Sequence, residues 1–284
     1  MYDGGIEMIT LKSPAKINIG LWITGKRPDG YHNIFSFFHT VDFYDTLYIK
    51  PSSRLTVKTS LYNPALEDEK NIVYKAIVEF ENLTGFYEDF DILIEKNIPL
   101  GSGLGGGSSN AATVIKFLNE YFGNPLSEED MIRLSAKVGA DVPFFLKGGF
   151  ALVEGIGDKI TFLEHKFTED IFIIYPDIIS ETKLIYSKVT KDLLTDKDKL
   201  NIIYNLQKEY DLKKILEVAQ NTLGEIARKV YPQIDEVVKF LEEEGYKVFI
   251  SGSGSSVYCF GKPSEKVKVA CKVRDWKLIE TKLT

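Results

Sequence analysis

The chain has 284 residues, 44% hydrophobic and 27% charged, with a formal net charge of −6. That length can bury the core of one large domain or two modest ones, and the balance is that of an ordinary soluble globular protein. Acidic and basic residues are mixed along the chain, without the basic face of a nucleic-acid binder, although a local basic pocket could still attract an anionic metabolite.

Cys259 and Cys271 lie in no metal-ligand or CxxC spacing and read as buried free thiols of a reducing compartment. The N-terminal MYDGGIEMITLKS lacks a basic region followed by an apolar run, and no segment approaches the roughly 20 apolar residues of a membrane span. A cytoplasmic protein is expected, with no membrane or nucleic-acid partner. The oligomeric state stays open.

The N-terminal part reads as β-rich. Strands are expected at Ile6–Lys12, Ala15–Thr24, Phe35–Asp42, Thr46–Pro51 and Arg54–Thr59, with the turn signal Arg27-Pro28-Asp29-Gly30 between two of them. Ile72, Val73, Ala76, Ile77 and Phe80 recur at helical spacing and Gly85 follows the end. Phe90–Glu95 is a further strand. Beyond it Ala111, Ile115, Leu118 and Phe122 share one helical face. Ser127 caps another helix, acidic in its first turn, that runs to Val138 and stops at Gly139.

Phe150–Val153, Ile160–Leu163 and Phe172–Tyr175 read as strands. Helical patterns dominate from Thr182 to Glu244, the last opening at Pro232 and ending before Gly245. Strand Lys247–Ile250 then enters the small-residue loop SGSGSS, which the strand SVYCF leaves. The shift from strand-rich to helix-rich sequence places a domain boundary near residue 165, giving units 1–165 and 166–284.

Between strand Phe90–Glu95 and the following helix lies PLGSGLGGGSS, Pro99 to Ser109, with five glycines and three serines in eleven residues. Glycine tolerates positive φ and lets backbone N–H groups converge into an anion nest. A helix start adds uncapped donors and partial positive charge. Strand, glycine loop, helix is therefore a sound phosphate cradle. A flexible connector is the other reading, but it would not be bounded by proline and set directly between a strand and an amphipathic helix. No GK[ST] follows, so this is not a Walker A loop, and no short first βα unit precedes it as in the dinucleotide fingerprint.

PLGSGLGGGSS resembles the second motif of the GHMP kinases, the superfamily of galactokinase, homoserine kinase and mevalonate kinase. SPAKINIGLWITGKRPDGYHNI is similar to the first motif of the branch that phosphorylates a cytidine-diphosphate-linked methylerythritol in the non-mevalonate isoprenoid pathway. ISGSGSSVYCFG resembles the C-terminal motif, and GADVPFF a central one; the matches span nearly the whole chain in the family's order. The resemblance implies an α+β, two-domain GHMP kinase fold. Its N-terminal domain would be of the ribosomal protein S5 domain 2-like type and its C-terminal domain ferredoxin-like, with the active site in the cleft between them.

Phosphoryl transfer needs positioning and charge neutralisation more than covalent chemistry. The resemblance makes Asp141 the general base for the substrate hydroxyl and pairs it with Lys16; a helix-capping aspartate and a solvated strand lysine are the plainer readings. Asn18, two residues on along the same strand face, would hydrogen-bond the substrate. Tyr31 and His32 match a cytidine-binding element, with Tyr31 stacking on the base. Tyr186 would close over that base, although helical tyrosines are usually core, and Thr182 would lie near the reacting hydroxyl.

For ATP the resemblance assigns Pro99, Gly101, Ser102, Gly103, Gly105, Gly106, Gly107 and Ser108 to the phosphates. Asn71 and Lys96 would line the adenine pocket, or serve as a cap and a surface charge. Gly252 and Gly254 would let SGSGSS pack near the phosphates, or simply form a tight turn. Mg2+ is implied by the reaction, but no carboxylate cluster names its ligands. His39 and His165 carry no motif and read as structural. The acceptor is expected to be the 2-hydroxyl of the cytidylyl methylerythritol. A homoserine kinase-like activity and a non-catalytic ligand sensor are the alternatives, disfavoured by GYH and by the joint presence of Lys16 and Asp141.

Overall fold

The computed structural model describes residues 8–206, 208 and 211–284. Strand β1 (Ile9–Lys26) and strand β2 (His32–Pro51) are long and each continuous. Each was expected as two strands. The first two residues of the strand expected at Ile6–Lys12 lie outside the described residues. Ser13 and Pro14 do not break β1, because proline's φ is compatible with an extended chain. Phe43 to Asp45 likewise continue β2. The chain resolves into two compact units that interleave along the sequence. The first holds Met1–Ala15, Phe43–Ile98 and Gly105–Lys147, and the second Lys16–Asp42, Pro99–Leu104 and Gly148–Thr284.

In the first unit, β3 (Thr56–Thr59) runs parallel to β4 (Phe90–Glu95), and β4 runs antiparallel to the end of β2, with Thr46 opposite Glu95 and Pro51 opposite Phe90. Helix α1 (Ile72–Thr84) starts at an Asn71 cap and ends at Gly85, whose φ of 73° is the left-handed conformation that favours glycine. It packs on α2 (Gly106–Tyr121) through Val73, Ala76, Ile77 and Phe80, all fully buried. Helix α3 (Glu128–Val138) has its Ser127 hydroxyl accepting from the Asp130 N–H and acidic residues throughout its first turn. After Gly139 the chain enters the short α4 (Val142–Lys147), whose Val142, Pro143, Phe144 and Phe145 are buried.

In the second unit, β5 (Phe150–Gly155) pairs antiparallel with the first part of β2 and with β6 (Lys159–Leu163). A separate four-stranded sheet holds β7 (Asp170–Tyr175), β8 (Phe249–Ile250), β9 (Val257–Phe260) and β10 (Lys277–Lys282), in the order β10-β7-β9-β8, all antiparallel. The helices α5 (Thr182–Ser187), α6 (Lys197–Leu206), α7 (Leu212–Val218), α8 (Thr222–Val230) and α9 (Pro232–Glu243) lie between β7 and β8, and α10 (Glu265–Val273) lies between β9 and β10. Strand, helices, two strands, helix, strand, in that sheet order, is the ferredoxin-like arrangement expected for this half. Ile171 to Ile174 of central β7 are almost fully buried on both faces, as an interior strand requires. Cys259 and Cys271 are free and buried, and burial pushes their thiols up to about 12 and about 11, so both are held protonated and unreactive. Among the described residues no helix is long and apolar enough to cross a membrane.

Candidate active site

Lys16 and Asn18 point to one face of β1 because side chains alternate along a strand. Both are buried, Lys16 3% and Asn18 1% exposed. A buried ammonium must be solvated by the protein. Lys16 donates to the Asn18 Oδ1 at 2.5 Å, and its Nζ lies 4.6 Å from the centre of the Phe38 ring. Asn18 also donates to the Ser36 Oγ at 3.0 Å, and Ser36 donates on to the Gly20 carbonyl at 2.6 Å. The Tyr258 hydroxyl donates to the Asn18 carbonyl at 2.8 Å. The strand that carries Lys16 is thus fixed at both backbone and side chain.

The glycine-rich segment turns its carbonyls into the protein and leaves its amides undirected. Within the second unit the carbonyls of Gly101, Ser102 and Leu104 accept from the amides of Ser180, Ser256 and Lys16. The Gly103 carbonyl accepts from the Ser251 hydroxyl at 2.9 Å. The Ser102 hydroxyl donates to the Pro99 carbonyl at 2.6 Å, which closes the turn. Gly101, Gly103 and Gly105 have φ of 57°, 78° and 72°. Among the described residues, no amide from Gly101 to Ser108 donates a hydrogen bond within the protein, while Ser109 donates to the Gly105 carbonyl at 2.9 Å. Backbone polar groups in a folded chain are nearly always paired. The undonated amides of Gly105 to Ser108, at the start of the 16-residue α2, are therefore donors available to an anion. Gly103 also admits no side chain, because a Cβ there would collide with the Ser251 carbonyl.

The loop Ser251-Gly252-Ser253-Gly254-Ser255-Ser256 is held in the second unit by Asn221. Its amide donates to the carbonyls of Ile250 at 2.7 Å and Gly252 at 2.8 Å, while its Oδ1 caps α8 by accepting from Gly224. Thr182 and Ser253 share a hydrogen bond of 2.9 Å, and Ser180 donates to the Ser253 carbonyl at 2.6 Å. The same unit stacks His32 on Tyr186 at 5.6 Å and 24°. His32 is held below the usual histidine pKa by burial and by the Lys26 charge, which favours the neutral ring. Tyr31 is 63% exposed, with its N–H bound to the Asp29 carboxylate at 3.1 Å.

In the first unit Asp141 is half-buried and directly precedes α4. Lys96, where a surface charge was one reading, is buried against Asp45 and donates to the Asn110 Oδ1 at 3.0 Å. Asn71 is engaged locally: its Oδ1 accepts from the Val73 amide at 2.9 Å and its amide donates to the Leu66 carbonyl at 2.6 Å. Gly107 and Ser108 lie in the first turn of α2. Sequence reasoning overlooked Ser36, Asn221, Asp45 and Asn110. Their roles depend on pairings between distant segments; the Ser251 hydroxyl, also overlooked, lies inside the motif ISGSGSSVYCFG.

The family model for the GHMP kinases N terminal domain matches residues 71–149, and that for GHMP kinases C terminal matches residues 202–277. The 4-diphosphocytidyl-2-C-methyl-D-erythritol kinase of Sulfurihydrogenibium sp. (strain YO3AOP1) is 55% identical over 276 residues, 97% of this chain and 100% of that one. The kinase of the same name from Persephonella marina (strain DSM 14350 / EX-H1) is 55% identical over 277 residues, with the same coverage. A crystal structure of 4-(cytidine 5'-diphospho)-2C-methyl-D-erythritol kinase superposes with a TM-score of 0.78 at 26% identity, covering 97% of this chain and 99% of that chain. With both family domains matched, their order preserved and near-complete relatives at this identity, the chain belongs to the GHMP kinase family.

Proposed function

We propose that the protein transfers the γ-phosphoryl group of ATP to the 2-hydroxyl of 4-diphosphocytidyl-2-C-methyl-D-erythritol, a step of non-mevalonate isoprenoid precursor synthesis. The observation that carries the phosphate-donor half is the run of undonated amides from Gly101 to Ser108. Those amides and the start of α2 bind the phosphate chain, together with the Ser108 hydroxyl, while the Ser102 hydroxyl is engaged by the Pro99 carbonyl and Ser102 contributes through its amide. The acceptor half rests on the 55% identical kinases of that name and on the His32–Tyr186 stack, a preformed flat surface for a pyrimidine. The exposed Tyr31 ring adds to that surface.

In this reading the Asp141 carboxylate takes the proton from the acceptor hydroxyl as its oxygen attacks the γ-phosphorus. The O–H bond breaks toward Asp141, the new P–O bond forms, and the bond to the β-phosphate oxygen breaks to release ADP. The Lys16 ammonium offsets the negative charge on the transferred group, and Asn18 and Thr182 position the acceptor. Asn71 and Lys96 contribute at the adenine side through the elements they hold. In this proposal the ATP-binding role lies within residues 1–165 and part of the acceptor-side role within 166–284, in a cytoplasmic enzyme, although the compact units themselves interleave along the sequence. Among the described residues no group of three or more His, Cys, Asp or Glu side chains is placed to hold a metal ion. Mg2+ would enter with the nucleotide phosphates, as is usual for this small, strongly hydrated cation.

The test follows ADP release with ATP, Mg2+ and either the cytidylyl substrate or homoserine. Turnover of the cytidylyl substrate alone is expected, and Asp141→Asn should lower kcat by about 10²- to 10⁴-fold. Turnover of homoserine alone overturns the acceptor assignment. An undiminished Asp141→Asn removes the base.

A further inference from the structure

We infer that Asp45 is a positioning residue for the ATP phosphate segment, acting through Lys96 and Asn110 on the first turns of α2. The inference rests on the kinase reading above and deepens it. Asp45 is fully buried and accepts from four donors within its own unit. Its Oδ1 receives the amides of Asn97 and Ile98, each at 2.8 Å. Its Oδ2 receives the Lys96 ammonium, and the Asn110 amide at 3.0 Å. Asn110 also donates to the Ser13 Oγ at 2.9 Å, and Ser13 donates to the Ser109 Oγ at 2.7 Å. One carboxylate therefore joins the exit of β4, at Lys96 to Ile98, to Ser109 and Asn110 of α2.

Gly106 rests directly on this assembly. A Cβ built there would lie 2.9 Å from the Ile98 Cγ2 and 3.1 Å from the Lys96 Nζ. The height of the first residue of α2 is thus set by where Lys96 and Ile98 sit, and Asp45 holds both. An unpaired ammonium beneath a helix start would oppose the positive end of the helix dipole. Asp45 removes that conflict. A buried ion pair adds little net stability, and its attested use is to fix registry. Here the registry is that of the amides that bind phosphate. Lys96 thereby affects nucleotide affinity through Gly106.

The test is a cycle of Asp45→Asn, Lys96→Met and the pair Asp45→Asn/Lys96→Met, read by steady-state kinetics, ADP calorimetry and melting. Each single variant leaves one buried group without its partner. Each should raise the KM for ATP by roughly ten- to a hundredfold, since small misplacements of binding groups cost that much. The KM for the cytidylyl substrate should stay within about twofold. The pair carries no unmatched charge and should lie closer to wild type in ATP KM and ADP affinity than either single variant. Additive losses, or a pair no better than Lys96→Met, would mean direct contact between Lys96 and nucleotide and overturn the inference. Should Asp45→Asn fail to fold, the pair decides: folded with near wild-type ADP affinity it supports the inference, folded with that affinity lost it refutes it. A wild-type protein that binds ADP but does not turn over the cytidylyl substrate removes the acceptor assignment and leaves this test standing.

Discussion

The Ser251 hydroxyl donates to the Gly103 carbonyl at 2.9 Å and accepts from the Asn18 backbone N–H at 3.3 Å. One buried side chain thus joins the phosphate segment to the strand that carries Lys16. Ser251→Ala would leave the Gly103 carbonyl without its donor, a desolvation cost of about 1–3 kcal/mol. The expected result is a fall in kcat/KM for ATP of roughly tenfold, the equivalent of about 1.4 kcal/mol, with both domains still folded. Steady-state kinetics beside far-UV circular dichroism checks this. Unaltered kinetics would show that the joint has no part in catalysis.

Gly103 tests the same region from the other side. Its φ of 78° is costly for any L side chain, and a Cβ would run into the Ser251 backbone. Backbone cannot swing away as a flexible side chain can. Gly103→Ala should abolish measurable ADP binding by calorimetry, while the overall fold is kept. Gly245→Ala is the control: φ is 84° there, but nothing lies within 4 Å of the new Cβ. That variant should cost only about 1 kcal/mol of stability and no nucleotide affinity. Equal losses of affinity in both would defeat the argument.

Tyr186 should matter to the acceptor alone. Its ring stacks with His32 at 5.6 Å, and a flat base would extend the stack. Tyr186→Ala is expected to raise the KM for the cytidylyl substrate by about tenfold, since such ring pairs are worth about 0.5–1.5 kcal/mol beyond area. Tyr186→Phe should restore it, and the KM for ATP should not move. Competition by CDP supplies an independent readout, weakened in Tyr186→Ala. Loss with both substrates would mark Tyr186 as a core residue.

Local pattern made much of this architecture legible. Phe90–Glu95 and the helix from Ser127 to Val138 follow from β propensity, a serine cap and a stop at Gly139, all carried by adjacent residues. The phosphate segment was readable because glycine chemistry is itself local. The breaks expected within β1 and β2 failed for a tertiary reason: different stretches of β2 pair with different strands, which keeps the chain extended throughout. Helix α10 and strand β10, with no motif to mark them, were not anticipated; β10 is fixed by its pairing with β7, about a hundred residues earlier. Asp45 was invisible for a similar reason. A lone aspartate in a β-rich stretch says nothing until its partners at Lys96 to Ile98 and at Asn110 are brought beside it.

His39 links stability to pH. It is buried, stacked on Phe150, and held as the neutral tautomer: its Nδ1–H donates to the Thr40 carbonyl at 2.8 Å and its Nε2 accepts from the Phe167 amide at 3.1 Å. Burial, helped by the nearby Lys166 and His165, lowers its pKa from 6.5 to about 4. Between those values the unfolded chain binds a proton that the folded chain does not, so stability rises with pH. The contribution is complete above about pH 6.5 and is lost as pH falls toward 4. Linkage puts the His39 share of the loss between pH 7.5 and pH 5 at about 2 kcal/mol. His39→Gln keeps an amide donor and acceptor without titrating. Urea unfolding at the two pH values should show a pH-dependent loss about 2 kcal/mol smaller in His39→Gln than in wild type. Equal losses in the two proteins would place the acid sensitivity elsewhere and show that protonating His39 costs the fold nothing.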